Sequence, residues 1–226
     1  MNIKNIIFDI GGVLADCKTG NWFITNNFFN ILDETLIDKE LLRESLKKYL
    51  YLQTQEPKTE EEEHAMFSNY YYKVLADLNY PNLKKELVDK IADDCVYNDE
   101  KFIFYEDVKS NLEKLSKSYN LYIISNGWPS SLRVLKNKGI YNYFKKVYIS
   151  SMYTTSKEEE LFDIFLNNQL EVNPEESLYI DDRRHIIEKA KEYNFKLLLM
   201  DRNNKYQDYN IPIIKDMNDI MKLLEK

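Results

Sequence analysis

The apolar run Ile6-Ile7-Phe8 stops at a carboxylate, Asp9, and a pair of glycines, Gly11-Gly12, follows almost at once. A run this short and this apolar reads as a strand buried on both faces, as in a parallel sheet, rather than as a helix. Open parallel sheets take their ligands beyond the carboxyl ends of the strands, where a glycine-rich turn lets backbone N–H groups approach an anion. The first sixteen residues therefore constrain the fold and the site together, with Asp9 expected at the lip of a crevice and Gly11 and Gly12 beside the ligand. Alone, the same residues also read as a strand ending in a polar turn. The rest of the chain decides.

From about residue 106 helical and strand patterns alternate. A stripe of Val108, Leu112 and Leu115 precedes the apolar run Leu121–Ile124; Pro129 and Gly139 bracket the next helix, which turns Leu132 and Leu135 inward. Val147–Ile149, Leu178–Ile180 and Phe195–Met200 are three further strands. Between them Ser156-Lys157-Glu158-Glu159 reads as a capping box opening a helix with Phe162, Phe165 and Leu166, and Ile186, Ala190 and Tyr193 mark another. Met217, Ile220, Met221 and Leu224 mark a terminal helix. Strands alternating with helices imply an α/β fold, a doubly wound parallel five-stranded sheet.

Residues 18–100 interrupt this rhythm and offer no strand. They read as four amphipathic helices, with stripes at Ile24/Phe28/Ile31/Leu32, Leu42/Leu46/Tyr49/Leu50, Phe67/Tyr70/Tyr71/Val74/Leu78 and Leu87/Val88/Ile91/Cys95. Thr59-Glu60-Glu61-Glu62, just after Pro57, is a capping-box start for the third. Four adjacent acids there are favourable partners of the helix dipole rather than a cation site. The expected organisation is a core of residues 1–17 and 101–226 with a four-helix segment, 18–100, inserted in it. Among the eighteen tyrosines, Tyr70-Tyr71-Tyr72 falls in that segment and reads as bundle packing first, with stacking on a sugar or exclusion of water from the site as the alternative.

The formal net charge of −7 argues against broad binding of nucleic acid or an anionic membrane surface. No leader pattern or membrane-length apolar run is present, and Cys17 and Cys95 read as free thiols, so the expected location is the cytoplasm. A small anionic substrate stays open, because a metal or a few local cations reverse the field inside a cleft.

Three strands end in chemistry. Asp9 ends the first, Ser125-Asn126-Gly127 the second and Asp181-Asp182 the fourth, with Lys157 between the last two. In a parallel sheet these ends share one edge. Each has a task on a phosphate ester. A carboxylate at Asp9 attacks phosphorus and forms an aspartyl-phosphate, splitting one hard displacement into two. Asp9, Asp181 and Asp182 supply the hard oxygen ligands Mg²⁺ prefers. The Ser125 hydroxyl and the N–H groups of Asn126 and Gly127 hold the remaining phosphate oxygens, and Lys157 adds positive charge. Each part also has an ordinary reading: Ser125-Asn126-Gly127 as a turn, the acid pair as a helix N-cap, Lys157 as a surface lysine, Trp128 as packing and Arg183-Arg184 as surface ion pairs. Their order along the chain is the specific signal.

That order resembles the haloacid dehalogenase superfamily, in motifs Asp9-Ile10-Gly11-Gly12-Val13-Leu14, Ser125-Asn126-Gly127, Lys157 (without the proline that often follows it) and Asp181-Asp182. The resemblance spans the chain and implies a strand order of 5-4-1-2-3, a helical cap in residues 18–100, an active site between the two, and Gly11 lending its carbonyl to the metal. The start looks closest to the branch containing small sugar-phosphate phosphatases. Family phosphatases carry a second aspartate two residues after the nucleophile, to protonate the leaving oxygen; this chain has Gly11 there. Acid–base help of that kind is worth about 10²–10⁴-fold, so metal binding is expected to survive and turnover to be slow unless Asp16 or His185 substitutes. The expected function is a Mg²⁺-dependent phosphatase acting on a small phosphorylated metabolite. Two alternatives stand beside it: a metal-independent 2-haloacid dehalogenase, whose halide leaves without protonation, and a non-catalytic phosphometabolite-binding scaffold.

Overall fold

A computed structural model describes residues 2–207 and 210–224. In chain order the elements are β1 (Asn5–Phe8), β2 (Ala15–Cys17), α1 (Phe28–Ile31), α2 (Lys39–Lys48), α3 (Glu60–Asp77), α4 (Lys85–Tyr97) and β3 (Phe102–Phe104). Then follow α5 (Val108–Leu115), β4 (Asn120–Ser125), α6 (Ser130–Asn137), β5 (Phe144–Ile149), α7 (Leu161–Asn168), β6 (Ser177–Asp181), α8 (Arg184–Lys191), β7 (Lys196–Met200), β8 (Ile213–Ile214) and α9 (Met217–Leu224).

The main sheet has the order β5-β4-β1-β6-β7-β8, and every pairing in it is parallel. Its first five members carry the expected order. The expectation of five strands is corrected to six, because the two-residue β8 adds to the edge beside β7. Successive strand residues face opposite sides. Ile6, Phe8, Leu121, Ile123, Leu178 and Ile180 pack with α5, α6 and α9 on one face. On the other, Ile7, Tyr122, Ile124, Tyr179 and Leu199 pack with α7 and α8. Helices on both faces explain why these strands read as continuous apolar runs rather than alternating ones.

The helical segment between β2 and β3 has an apolar cluster of its own, built on Phe28, Leu42, Leu46, Phe67, Tyr70, Tyr71, Val74, Val88, Ile91 and Cys95. The Thr59 capping box is present: its side chain accepts from Glu62 N–H while the Glu62 carboxylate accepts from the Thr59 backbone. The first expected helix is only the single turn α1. Two features were not legible. β2 and β3 pair antiparallel where the helical segment leaves and rejoins the sheet, and three residues apiece are too few to show a period. The expected capping box at Ser156 does not open a helix either. Residues 157–160 form turns, α7 begins at Leu161, and this detour carries Lys157 into the interior. Among the described residues no helix is long and apolar enough to cross a membrane, and both cysteines are free.

Candidate active site

β4, β1 and β6 are neighbours and run parallel, so Ser125, Asp9 and Asp181 arrive at one edge of the sheet. Asp9 continues the β1 ladder by donating its N–H to the Ile180 carbonyl at 3.0 Å. Its side chain is buried at 3 % exposure, and no hydrogen bond is aligned on Oδ1 although Lys157 Nζ lies 2.9 Å away. Lys157 is entirely buried and reaches Asp181 Oδ2 at 2.6 Å as well. Asp181 is saturated: Oδ2 also accepts the Tyr179 hydroxyl at 2.7 Å and Oδ1 accepts Arg183 N–H at 2.9 Å. A lysine ion pair this deep is tolerable only because both partners are multiply bonded.

Asp9, Asp181 and Asp182 each bring one carboxylate oxygen to within 4.8 Å of the others. Against these three acids stand the cations Lys157 and Arg183. The imbalance is visible in Asp182. Burial, with Asp9 and Asp181 beside it, pushes its carboxyl up to about 7. An all-oxygen donor set carrying surplus negative charge is the chemistry of a hard divalent cation site.

The turn after Asp9 brings Gly12 against Asp182. Gly12 has φ +69°, and a Cβ there would lie 2.4 Å from the Asp182 carboxyl carbon, so glycine is required twice over. Gly11 is not so constrained: a Cβ would meet only Trp22, at an ordinary 3.8 Å. Sequence reasoning missed the residues that hold this turn. Arg202 donates to the Val13 carbonyl from Nε and Nη2 at 3.0 and 2.8 Å, grips Asp107 and lies over the Tyr105 ring at 3.8 Å. The Tyr206 hydroxyl donates to the Asp182 carbonyl at 3.1 Å. Both follow the end of β7. The strand-end rule that found Asp9, Ser125 and Asp181 pointed there too, but Asp201-Arg202 matches no phosphate or metal pattern.

The second loop is only partly as expected. Ser125 is buried and lines the cavity. Gly127 N–H, expected to face phosphate, instead donates to Ser150 Oγ at 3.0 Å. Asn126 uses its side chain as a brace, accepting from Lys157 N–H at 2.9 Å and donating to Glu158 at 2.7 Å. It thereby holds the detour that buries Lys157. Asp16 lines the cavity, but its two oxygens accept from Cys17 N–H and the Tyr105 hydroxyl. His185, the other candidate acid, lies outside the cavity lining, its side chain 62 % exposed and 3.3 Å from Glu158. Trp128 donates its indole N–H to the Thr54 carbonyl and packs on Phe67, and Tyr70 and Tyr71 are core residues. Arg183 faces the site, 3.8 Å from Asp181, and Arg184 stacks on Tyr206.

Asp9 and Asp182 open into a cavity of about 660 Å³ between the sheet edge and the helical segment. Its lining combines these polar strand ends with the aromatic side chains of Trp22, Phe23, Phe67, Phe102 and Trp128, and with Gln55 and Lys101. The helical segment is fastened beside it: Ser130, at the start of α6, donates its N–H and hydroxyl to Glu63 of α3 at 2.8 and 2.7 Å. Arg133 of α6 pairs with Glu60 and Asp99.

The sequence profile of the haloacid dehalogenase-like hydrolases matches residues 32–200. No curated protein matches the chain in sequence. Solved structures share the fold at low identity. A 2-haloacid dehalogenase from Pseudomonas syringae aligns over 99 % of this chain and 98 % of its own, with TM-score 0.72 and 19 % identity. A putative hydrolase of the same class from Bacillus subtilis, bound to magnesium, aligns over 99 % of both chains with TM-score 0.71 and 13 % identity. A phosphatase of that class from Thermococcus onnurineus covers 98 % of both, with TM-score 0.67 and 21 % identity.

Proposed function

The chain belongs to the haloacid dehalogenase-like hydrolases, and on that footing we propose that it is a Mg²⁺-dependent phosphatase working through an aspartyl-phosphate on Asp9. The observation that carries this reading is the crowding of Asp9, Asp181 and Asp182 with too little positive charge around them. Asp9, Asp182 and the Gly11 carbonyl would hold the cation, with Asp181 in support through its bonds to Lys157 and Arg183. Bound there, Mg²⁺ offsets the charge of a phosphate brought up to a carboxylate.

The chain's own residues do the rest. Lys157, fixed between Asp9 and Asp181, orients the attacking carboxylate and lowers the cost of bringing a phosphoryl dianion against it. The Ser125 hydroxyl, buried at the cavity wall, donates to a non-bridging phosphate oxygen. Asp9 forms the bond to phosphorus, the ester oxygen departs, and water then releases phosphate and regenerates the carboxylate. The helical segment, residues 18–100, serves as the cap that closes the cavity and excludes bulk water. The substrate is a small phosphorylated metabolite, and neither nucleic acid nor a membrane is a partner.

A metal-independent dehalogenase is the second reading, favoured by Gly11, which offers no proton to a leaving group and would not handicap halide departure. The test is phosphate release from a panel of monoesters, and chloride release from 2-chloropropionate, each with Mg²⁺ and with EDTA. Phosphate release that needs Mg²⁺ and disappears in Asp9→Asn supports the first reading. Chloride release indifferent to EDTA, with no phosphate release, establishes the second.

A further inference from the structure

Accepting the phosphatase reading, we infer that the substrate is an aryl phosphate: a flat aromatic ring whose oxygen leaves as a stable anion. Two independent features of the cavity point there.

The first is the proton inventory around Asp9. Residue 11 has no side chain. Both Asp16 oxygens are already acceptors. Lys157 is wholly buried and committed to two carboxylates, and Asp182 would be taken up as a carboxylate by the cation. Tyr206 and Lys101 donate to the carbonyls of Asp182 and Cys95, and His185 lies outside the cavity lining. A leaving group here departs with its electron pair and without a proton. An alkoxide is nearly as basic as hydroxide, whose parent water has a pKa of about 15.7, whereas phenol ionises near about 10. That gap of several pKa units is what a missing general acid exposes.

The second is the aromatic part of the cavity lining, which begins beside Gly11. Trp22 stands over Gly11 and packs on Phe102 with ring centroids 5.0 Å apart. Phe23, Phe67 and Trp128 line the same cavity. Aromatic faces such as these stack on a flat aromatic ring. A cavity of about 660 Å³ accommodates a phosphate and one ring system.

In the step itself, Asp9 oxygen bonds to phosphorus as the phosphorus–aryl oxygen bond breaks, and its electron pair leaves as phenolate. Water then bonds to phosphorus, the aspartyl oxygen–phosphorus bond breaks, and the water's protons pass to phosphate and solvent.

The experiment has a turnover arm and a binding arm. With Mg²⁺, kcat/KM is measured for ring-substituted phenyl phosphates, for benzyl phosphate (a ring on a poor leaving group), for acetyl phosphate (a good leaving group without a ring) and for a hexose phosphate. Phenyl esters are expected to exceed benzyl and hexose esters by more than about 10²-fold and to quicken steeply as the phenol becomes more acidic; acetyl phosphate is expected to lie between. Gly11→Asp is expected to flatten that dependence. Separately, calorimetry compares phenylphosphonate with methylphosphonate, neither of which can be cleaved. Phenylphosphonate is expected to bind at least about tenfold tighter, and Trp22→Ala to bring the ratio toward unity. Benzyl or hexose esters turned over within about threefold of the phenyl esters, or phosphonates bound equally, would overturn the inference. Tight phenylphosphonate binding with no ester cleaved overturns the phosphatase reading and leaves aryl recognition standing; neither binding nor cleavage overturns both.

Discussion

Gly12 carries more of the site than its size suggests. Alanine there must adopt a left-handed backbone, at about 1–2 kcal/mol, and must also displace the Asp182 carboxyl it would overlap. Gly12→Ala is expected to lose stability on that scale in a denaturant melt and to lose nearly all metal-dependent turnover. Gly11→Ala, whose Cβ would make only an ordinary contact with Trp22, should fold normally; that contrast isolates the effect of the Asp182 contact. Asp182 offers a second check. A cation bound only by the folded protein stabilises it, by about 2.7 kcal/mol at a hundred times its dissociation constant. Mg²⁺ is therefore expected to raise the melting temperature of the protein, and Asp182→Asn to abolish that rise in a calorimetric scan.

Between elements, α6 has no side chain of its own at its N-terminus, since Pro129 occupies the cap position. Glu63 of α3 fills the role from across the interface. Burial raises its carboxyl above the usual carboxylate range, while the Ser130 hydrogen bonds oppose that shift. Glu63→Ala leaves the Ser130 N–H buried without an acceptor, which costs about 1–3 kcal/mol, and is expected to lower the denaturation midpoint accordingly. The opposite balance holds at Asp94 of α4. Burial pushes its carboxyl up, but hydrogen bonds from Thr25, Asn98 and Asn27 prevail and hold it below its ordinary value. A depressed carboxyl contributes stability above the unfolded pKa of about 3.9 and loses it as the pH falls through the folded value. The stability gap between the protein and Asp94→Asn is thus expected to be full near neutrality and to close below about pH 4, as read from urea melts across that range.

Across the whole molecule, legibility followed length and period. β1, β4, β5, β6 and β7 were visible because strands buried on both faces are apolar without interruption, and their ends located Asp9, Ser125 and Asp181. β2, β3 and β8 were not, being two or three residues long. Lys157 was found by its place in the chain, but not its route inward, because Asn126 and Glu158 create that detour through tertiary bonds. Arg202 was invisible because its partners, Val13 and Asp107, lie far away in the sequence. The chain has two tryptophans, and both stand on the cavity wall, Trp22 over Gly11 and Trp128 against Phe67. Light absorbed at the red edge of the ultraviolet band, where tyrosine is transparent, is consequently emitted from this one compartment. Titration with phenylphosphonate is expected to change that emission and Trp22→Phe to remove most of the change, so the protein carries an optical gauge of its own occupancy.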